Sequence, residues 1–278
     1  MSLLRVTLID VGWGDSLLLE TEDSRNERHY ALIDSNDTAT LRSSHIFLKR
    51  FFEKKGYDVP TSSPLFDWVL LTHAHADHGQ GLKPILKDYG TRQFWYSKSN
   101  STTVFFSDLL RYAGTSGRVE HHQAIDDTKI LPNFGDVAMK VLWPMYGQIE
   151  DNENNNSVVL ALKLGDVSFM LTGDAEIDVW TNISVNIPSD TLFFKVPHHG
   201  SDNGMFDKAG KTPWLDRVSA VPGGRLAISS HVRPFSHPDK EVVDLLDARH
   251  VTYYRTDQHY HVTVETDGTN VQVQYSHV

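Results

Sequence analysis

The chain has 278 residues, a formal net charge of −10 at pH 7 and no cysteine. The lack of cysteine excludes disulfides, zinc–thiolate sites and cysteine nucleophiles. The acidic balance argues against a broad basic groove that grips many phosphates, although two divalent cations in one cleft would reverse the charge locally. Fifteen histidines without cysteine favour metals held by nitrogen and oxygen ligands.

No stretch has the length and apolarity of a membrane span, and the first 15 residues lack the layout of a signal peptide. We therefore expect a cytoplasmic protein that does not enter a membrane. No linker, repeat or low-complexity segment interrupts the sequence, so we expect a single domain over residues 1–278. The sequence leaves the oligomeric state and any protein partner open.

The elements predicted from hydrophobic periodicity begin with three short strands, over residues 3–9, 16–20 and 29–33. A helix over 38–55 follows, with Asp37 or Thr38 as its cap. The next strand, over 68–71, is apolar throughout, which is typical of a strand buried on both faces. A helix over 82–89 and a strand over 92–96 come after it.

The second half of the chain continues with strands over 137–143, 157–164, 167–171, 191–196 and 225–228, and helices over 176–182 and 239–248. Gly165 and Asp166 form a tight hairpin between two of these strands. Strands over 252–254, 259–265 and 270–275 close the chain. This order predicts an α/β fold in which two mixed β-sheets pack face to face with helices on their outer faces.

The strongest functional signal is the segment THAHADHG at residues 72–79, directly after the buried strand. It carries four potential metal ligands within six residues, separated by small alanines. His73 and His75 are two residues apart, so in extended backbone their side chains point the same way. Asp77 and His78 lie where the chain turns and a helix begins. One short loop can therefore serve two neighbouring metal ions.

The HxHxDH pattern is the signature of the metallo-β-lactamase superfamily, and the chain resembles in particular the hydrolase domain of the ComEC competence proteins. Eight segments match in order: DVGWGD (10–15), LIDS (32–35), the THAHADHG loop, NNNSVVL (154–160), LTGD (171–174), KVPHHGS (195–201), SHP (236–238) and YRTDQ (254–258). The resemblance implies the αββα sandwich of this superfamily. It also implies two divalent metal ions, Zn²⁺ or Mn²⁺.

The resemblance assigns Asp174, in the LTGD segment after the strand over 167–171, as the bridge between the two metals. A bridging carboxylate offsets charge between closely spaced dications. In the family, a histidine after the strand over 191–196 joins Asp77 and His78 at the second metal. His198 is the preferred ligand because it comes first after the strand, and His199 then faces the substrate; the reverse assignment stays open.

His237 lies in the SHP segment just before a helix. The resemblance places it near the metals, where it donates a proton to the leaving group or holds a phosphate; a plain helix-start residue is the competing interpretation. His231 has a weaker claim to this role. Asp10 and Asp34 end their strands and are expected to orient ligand imidazoles, with a turn or cap role as the alternative.

Two positions depart from the superfamily pattern. Many members hold the first metal with a third histidine before the strand that leads to the TGD segment, whereas this chain has asparagines at 154–156. Asn154 takes that place, as in the ComEC-like group, and Asn155 is the next candidate. An amide oxygen suits harder ions such as Mn²⁺ better than it suits zinc. Trp13 stands where relatives often carry glutamine.

The metals imply hydrolysis, because a water that bridges two divalent ions is acidified and becomes a hydroxide nucleophile. Asp77, His199 and His237 are the expected catalytic residues. The resemblance to the ComEC hydrolase domain favours phosphodiester hydrolysis, with DNA, RNA or a nucleotide as substrate. Hydrolysis of a small ester, lactone or amide is the first alternative, and a non-catalytic metal-binding module is the second.

Overall fold

A computed structural model describes residues 2–57 and 63–276 of the chain. The strands within these residues are β1 (Leu3–Leu8), β2 (Leu17–Glu22), β3 (Arg28–Ile33), β4 (Phe66–Leu71), β5 (Thr91–Tyr96), β6 (Val119–Ala124), β7 (Ala138–Trp143), β8 (Val159–Leu164), β9 (Val167–Leu171), β10 (Thr191–Lys195), β11 (Arg225–Ile228), β12 (Tyr253–Arg255), β13 (His261–Thr266) and β14 (Val271–Ser276).

The α-helices are α1 (Ser43–Lys54), α2 (Ala76–Gly79), α3 (Leu82–Tyr89), α4 (Val104–Thr115), α5 (Ile177–Ile183), α6 (Asp202–Met205), α7 (Pro213–Val218), α8 (Lys240–Ala248) and α9 (Thr256–His259). Short 3₁₀ turns cover Glu153–Asn156, Ser184–Asn186 and Pro197–Gly200. Among the described residues, none of these helices combines the length and apolarity that crossing a bilayer requires.

The strands form two mixed sheets. The eight-stranded sheet has the order β14-β13-β1-β2-β3-β4-β5-β6, and the six-stranded sheet has the order β12-β11-β10-β9-β8-β7. Strands β3 to β6 run parallel to one another, as do β9 to β12. The remaining neighbours pair in antiparallel fashion.

The core between the sheets follows from the two-residue period of a strand. In β4, Trp68 and Leu70 point into the cluster shared by the two sheets, whereas Val69 and Leu71 point to the opposite face. In β8, Leu160 and its alternate neighbours join the same central cluster. The apolar side chains of strands that are buried on both faces therefore supply two layers of core at once.

Helices cover the outer face of each sheet. Helices α1, α3 and α4 pack on the larger sheet through side chains such as Leu48, Ile85 and Leu109. Helices α5, α7 and α8 cover the smaller sheet, where Trp180 and Trp214 are buried. The predicted fold, two mixed sheets face to face with helices outside, is confirmed.

The start of α1 differs from the prediction, because the helix begins at Ser43 and not at residue 38. The predicted cap Asp37 nevertheless accepts hydrogen bonds from the N–H groups of Ser44 and His45, both at 2.8 Å. The carboxylate of Asp37, which precedes the helix, thus satisfies two backbone N–H groups of the first turn that have no carbonyl partner within the helix. Helices α4 and α7 and strand β6 were not predicted.

The topology brings the motif loops to one edge of the sandwich. The THAHADHG loop follows β4, and Asp34 follows the parallel neighbour β3. In the other sheet, Asp174, the His198–His199 pair and Ser229 follow the parallel strands β9, β10 and β11. The carboxyl ends of parallel strands meet at the same edge of a sheet, which is where α/β proteins bind ligands.

Candidate metal centre

His73 and His75 lie side by side after β4, with Nε2 of His73 3.0 Å from Nδ1 of His75. The other nitrogen of His73, Nδ1, contacts the hydroxyls of Thr72 at 3.1 Å and Ser157 at 3.2 Å. Burial, reinforced by the neighbouring charge of His78, holds the pKa of the His73 imidazole well below its usual value. A neutral imidazole in contact with hydroxyls through one nitrogen keeps the other available for a metal.

His78 is buried between two carboxylates. Its Nδ1 lies 2.7 Å from Oδ2 of Asp34, and its Nε2 lies 3.1 Å from Oδ2 of Asp174. Asp34 also accepts hydrogen bonds from the N–H and hydroxyl of Thr72. Burial lowers the pKa of the His78 imidazole, but the charges of Asp174 and Asp34 outweigh it and raise that pKa well above its usual value. Asp34 therefore contacts the His78 ring through the nitrogen opposite the one that faces Asp174.

Asp10 takes the alternative role of a turn residue. Its Oδ1 accepts a hydrogen bond from the N–H of Gly12 at 3.1 Å, and its own N–H donates to Nδ1 of His261 at 3.0 Å. These contacts shape the loop between β1 and β2.

Asp77, His78, Asp174 and His199 form a cluster whose ligand atoms all lie within 4.8 Å of one another. Nε2 of His199 is 3.2 Å from Oδ2 of Asp174, and its Nδ1 is 2.8 Å from the carbonyl oxygen of Ser229. Burial disfavours the charged form of Asp174, but the imidazoles of His199 and His78 outweigh it and hold the pKa of the carboxyl well below its usual value.

This cluster fits a divalent metal. Oδ1 of Asp174 is buried and has no hydrogen-bond partner among residues 2–57 and 63–276. A buried polar atom without a partner is costly, and a metal ion would satisfy it. The imidazole and carboxylate donors are those that zinc and manganese take in proteins.

His198 and His199 diverge because both have left-handed backbone, with φ of 46° and 54°. Their ring centroids are 6.2 Å apart, with the ring planes 63° from parallel. Nδ1 of His198 lies 3.2 Å from Oε1 of Glu176, and its Nε2 lies 3.4 Å from Nδ2 of Asn154. His199, not His198, thus joins the cluster around Asp174. Non-glycine residues at positive φ are found where the surrounding structure constrains them, often at functional sites.

Asn154 lies in the 3₁₀ turn before β8 and donates a hydrogen bond through Nδ2 to Oε1 of Glu176 at 2.8 Å. Its carbonyl oxygen Oδ1 is buried and has no hydrogen-bond partner within the described part of the chain. Asn155 is committed to structure, because its Oδ1 accepts the N–H of Glu176 and its backbone carbonyl accepts the indole N–H of Trp143. Of the two asparagines, Asn154 therefore has the side-chain oxygen that remains available.

His237 lies beside this group. Its ring centroid is 5.9 Å from that of His198 and 5.3 Å from that of Trp13, and its Nδ1 lies 3.2 Å from Oδ1 of Asp239. Burial lowers the pKa of the His237 imidazole, and the carboxylate of Asp239 only partly offsets this. The Nδ1 of His231 instead contacts the backbone of Arg233, within its own loop.

Sequence reasoning missed the residues that hold the loops in place. Glu153 accepts the N–H of Ala74 at 2.7 Å and so fixes the loop between His73 and His75. Beneath the site, Nζ of Lys195 lies 2.7 Å from Oδ2 of Asp15. Asp15 and Lys195 belong to the matched segments 10–15 and 195–201, and this membership is the sequence feature that could have identified them.

The TGD segment shows why a glycine precedes Asp174. Gly173 has φ of 52°, and a Cβ placed there would meet the side chain of Ser157 at 2.9 Å and that of Thr72 at 3.1 Å. A side chain at this position would push apart two of the loops that form the site. The backbone at Gly173 therefore approaches both of these loops closely.

Comparisons with known proteins agree with this architecture. No protein-family model matches the chain. The sequence is 28% identical to ComE operon protein 3 of Bacillus subtilis over 274 aligned positions, which cover 91% of this chain and 32% of that protein. It is 27% identical to the uncharacterized protein YcaI of Escherichia coli over 173 positions, which cover 59% of this chain and 18% of YcaI. The chain thus spans about a third of the first relative and less of the second.

Among solved structures, unliganded yeast PDE1 aligns with 92% of this chain and 98% of its own length, with a TM-score of 0.55 and 10% identity. The chain has the metallo-β-lactamase fold. Within that fold class it is similar to ComE operon protein 3 over nearly all of its length. The similarity to ComE operon protein 3 agrees with the resemblance to ComEC-like proteins that the motifs indicated.

Proposed function

We propose that the chain is a metal-dependent phosphodiesterase that binds two divalent ions and acts on a nucleic acid or a nucleotide. The observation that carries the proposal is the cluster of Asp77, His78, Asp174 and His199, whose ligand atoms lie within 4.8 Å of one another and of which all but Asp77 are buried. Imidazole and carboxylate groups that converge at the carboxyl ends of strands form a metal centre far more readily than a structural core.

The second ion of the pair is supported by the histidines next to this cluster. The ring centroid of His73 is 4.2 Å from that of His78, and His75 contacts His73 on its other side. We assign His73, His75 and Asn154 to the first ion. Asp174 is assigned as the bridge.

The remaining ligands of the second ion are Asp77, His78 and His199. We choose His199 over His198 because its Nε2 faces Asp174, whereas both ring nitrogens of His198 face Glu176 and Asn154. Zn²⁺ or Mn²⁺ bound here would supply a Lewis acid that polarises a phosphoryl oxygen and acidifies a water molecule.

The side chains around the cluster position the ligands and handle protons. Asp34 holds the ring of His78 through Nδ1, and the carbonyl of Ser229 holds the ring of His199 in the same way. Such contacts fix the tautomer and the direction of each ligand nitrogen. His237 contacts Asp239 through Nδ1, which leaves Nε2 to donate a proton to a departing alkoxide.

A phosphodiester substrate is supported by the resemblance of eight ordered segments to the ComEC hydrolase domain and by the similarity to ComE operon protein 3. The neighbour of similar fold carries the name yeast PDE1. The choice of metal is a separate question. Asn154 replaces the third histidine of many superfamily members, so the first ion would have an amide oxygen as a ligand, and oxygen ligands suit Mn²⁺.

The test is a substrate panel with protein loaded with Mn²⁺ or Zn²⁺. The panel contains single-stranded DNA, a cyclic dinucleotide and a chromogenic β-lactam. We expect hydrolysis of at least one phosphodiester and a large loss of that activity in Asp174→Asn. The exposed Asp178 of α5 provides the matched control Asp178→Asn, which should leave turnover unchanged.

Cleavage of the β-lactam alone would overturn the phosphodiesterase proposal in favour of ester or amide hydrolysis. Tight metal binding with no hydrolysis of any substrate would favour the metal-binding module. Equal effects of Asp174→Asn and Asp178→Asn would mean that the activity does not come from this cluster.

A further inference from the structure

A row of aromatic rings leads away from the candidate metal centre. The ring centroid of Trp13 lies 4.6 Å from that of His199 and 4.6 Å from that of Phe235 on its other side. His237 lies 5.3 Å from Trp13 and 6.4 Å from Phe235, with its ring plane within 28° and 26° of theirs. One end of the row therefore touches a residue of the cluster, and the other end reaches the surface.

The outer ring of this row is open to solvent. The phenyl group of Phe235 is 61% exposed, although an apolar ring of this size is normally covered. Trp13 and His237 are half-buried beneath it. An exposed aromatic group next to a candidate active site offers a flat apolar face to a ligand that stacks.

The backbone at Trp13 and Gly14 is anchored to the loops around the cluster. Its carbonyl accepts a hydrogen bond from the side chain of Asn36, and the carbonyl of Gly14 accepts one from the hydroxyl of Ser229 at 3.0 Å. Gly14 packs so closely on the loop that a Cβ there would meet the carbonyl oxygen of Asp77 at 2.3 Å. A ring carried on an anchored backbone loses less conformational freedom when it binds a ligand.

A cation accompanies the rings. Arg233 lies two residues before Phe235, and its side chain is exposed. No hydrogen bond or ion pair engages its guanidinium group within residues 2–57 and 63–276. Arg233 is thus an exposed cation close in sequence to Phe235, and proteins that bind single-stranded nucleic acid combine aromatic rings with basic side chains.

We propose that Trp13 and Phe235 form a stacking platform that binds a nucleobase next to the scissile phosphate. This inference rests on the proposed phosphodiesterase function and narrows its substrate to base-bearing, single-stranded nucleic acid or nucleotides. Stacking also explains how a chain with a net charge of −10 would bind a negatively charged nucleic acid. The platform holds the substrate through its bases, so no broad basic groove is needed.

The test is binding to metal-free protein, which separates the platform from catalysis. Fluorescence anisotropy compares a labelled strand of twelve thymidines with an abasic strand of the same length. The two strands carry the same backbone charge, so their affinity ratio measures base stacking. We expect wild-type protein to prefer the thymidine strand by roughly 5- to 150-fold per stacked base.

Trp13→Ala and Phe235→Ala should abolish most of this preference and leave the affinity for the abasic strand unchanged. Phe235→Tyr should retain the preference and Phe235→Leu should lose it, which distinguishes stacking from mere apolar contact. Tyr275→Ala is the matched control, because Tyr275 is 60% exposed on β14 and should have no effect.

Equal affinity of wild-type protein for the two strands would overturn the platform, as would a preference that survives both alanine substitutions. Failure of the proposed function looks different. In that case the thymidine preference and its loss in the variants would be seen, but Mn²⁺-loaded protein would hydrolyse no phosphodiester. Hydrolysis of both strands at equal rates by wild type and variants would refute the platform alone.

Discussion

The buried ion pair between Lys195 and Asp15 predicts a large effect of a single substitution on the free energy of unfolding. Nζ of Lys195 lies 2.7 Å from Oδ2 of Asp15, and both side chains are only 1% exposed. Nζ also donates a hydrogen bond to the carbonyl of Gly173 at 3.1 Å. Lys195→Met keeps the length of the side chain and removes its charge. It leaves the carboxylate of Asp15 buried without its cation.

The expected loss in the free energy of unfolding is about 3–5 kcal/mol, the usual cost of removing one partner of a buried ion pair. The loss should be at the upper end of this range, because Asp34 is a second buried carboxylate close to Asp15. Asp15 and Asp34 lie 4.0 Å and 2.7 Å from the same nitrogen, Nδ1 of His78. The double variant Asp15→Asn/Lys195→Met should recover most of it, since replacing both partners leaves no uncompensated charge.

Urea denaturation followed by tryptophan fluorescence measures these differences. The control is Lys163→Met, because Lys163 forms an ion pair with Asp190 and is 51% exposed. Exposed pairs contribute about 0–1 kcal/mol, so this variant should differ little from wild type. If Lys195→Met cost no more than Lys163→Met, the reasoning about the buried pair would be refuted.

Three predictions concern the site itself. His199→Ala should reduce the number of bound metal ions whereas His198→Ala should not, as measured by mass spectrometry of metal content; equal losses would contradict the assignment. Asn154→His should tighten zinc binding, measured by competition with a chromophoric chelator, because imidazole is the better zinc ligand. Unchanged affinity for both Zn²⁺ and Mn²⁺ would exclude Asn154 as a metal ligand. His237→Ala should keep its metal and lose turnover by roughly 10²–10⁴-fold, together with the basic limb of the pH profile, because the proton donor is gone. The exposed His121 supplies the control His121→Ala, and metal loss in His237→Ala would make His237 a ligand instead.

Hydrophobic periodicity predicted the elements that have a strong apolar face. Helix α3 was predicted with the bounds that the structure shows, Leu82–Tyr89, and β9 likewise at Val167–Leu171. Strand β6 was missed because four of its six residues are exposed, so its sequence lacks the apolar alternation that marks a strand. It pairs in parallel with β5 as an edge strand, and that contact is not local in the sequence.

The candidate site was predictable where one loop supplies several groups. The THAHADHG segment indicated His73, His75, Asp77 and His78, and the structure brings these residues together. The sequence favoured His198 as the ligand, whereas the structure places His199 in the cluster around Asp174. This difference depends on left-handed backbone angles, which no periodicity predicts.

The contacts that position these groups were not predictable from local sequence. Glu153 accepts the N–H of Ala74, 79 residues earlier in the chain. Ser229 donates to the carbonyl of Gly14, 215 residues away. Pairings over such separations are decided by how the two sheets pack, so only the folded chain reveals them.

The metal stoichiometry of the purified chain tests the central claim most directly. Calorimetric titration of metal-free protein with Mn²⁺ or Zn²⁺ should reach two ions per chain. Asp174→Ala should bind fewer ions, because it removes the negative charge between two dications. A saturating value near zero for the wild-type chain, or two ions bound with equal affinity by Asp174→Ala, would contradict the proposed dinuclear centre.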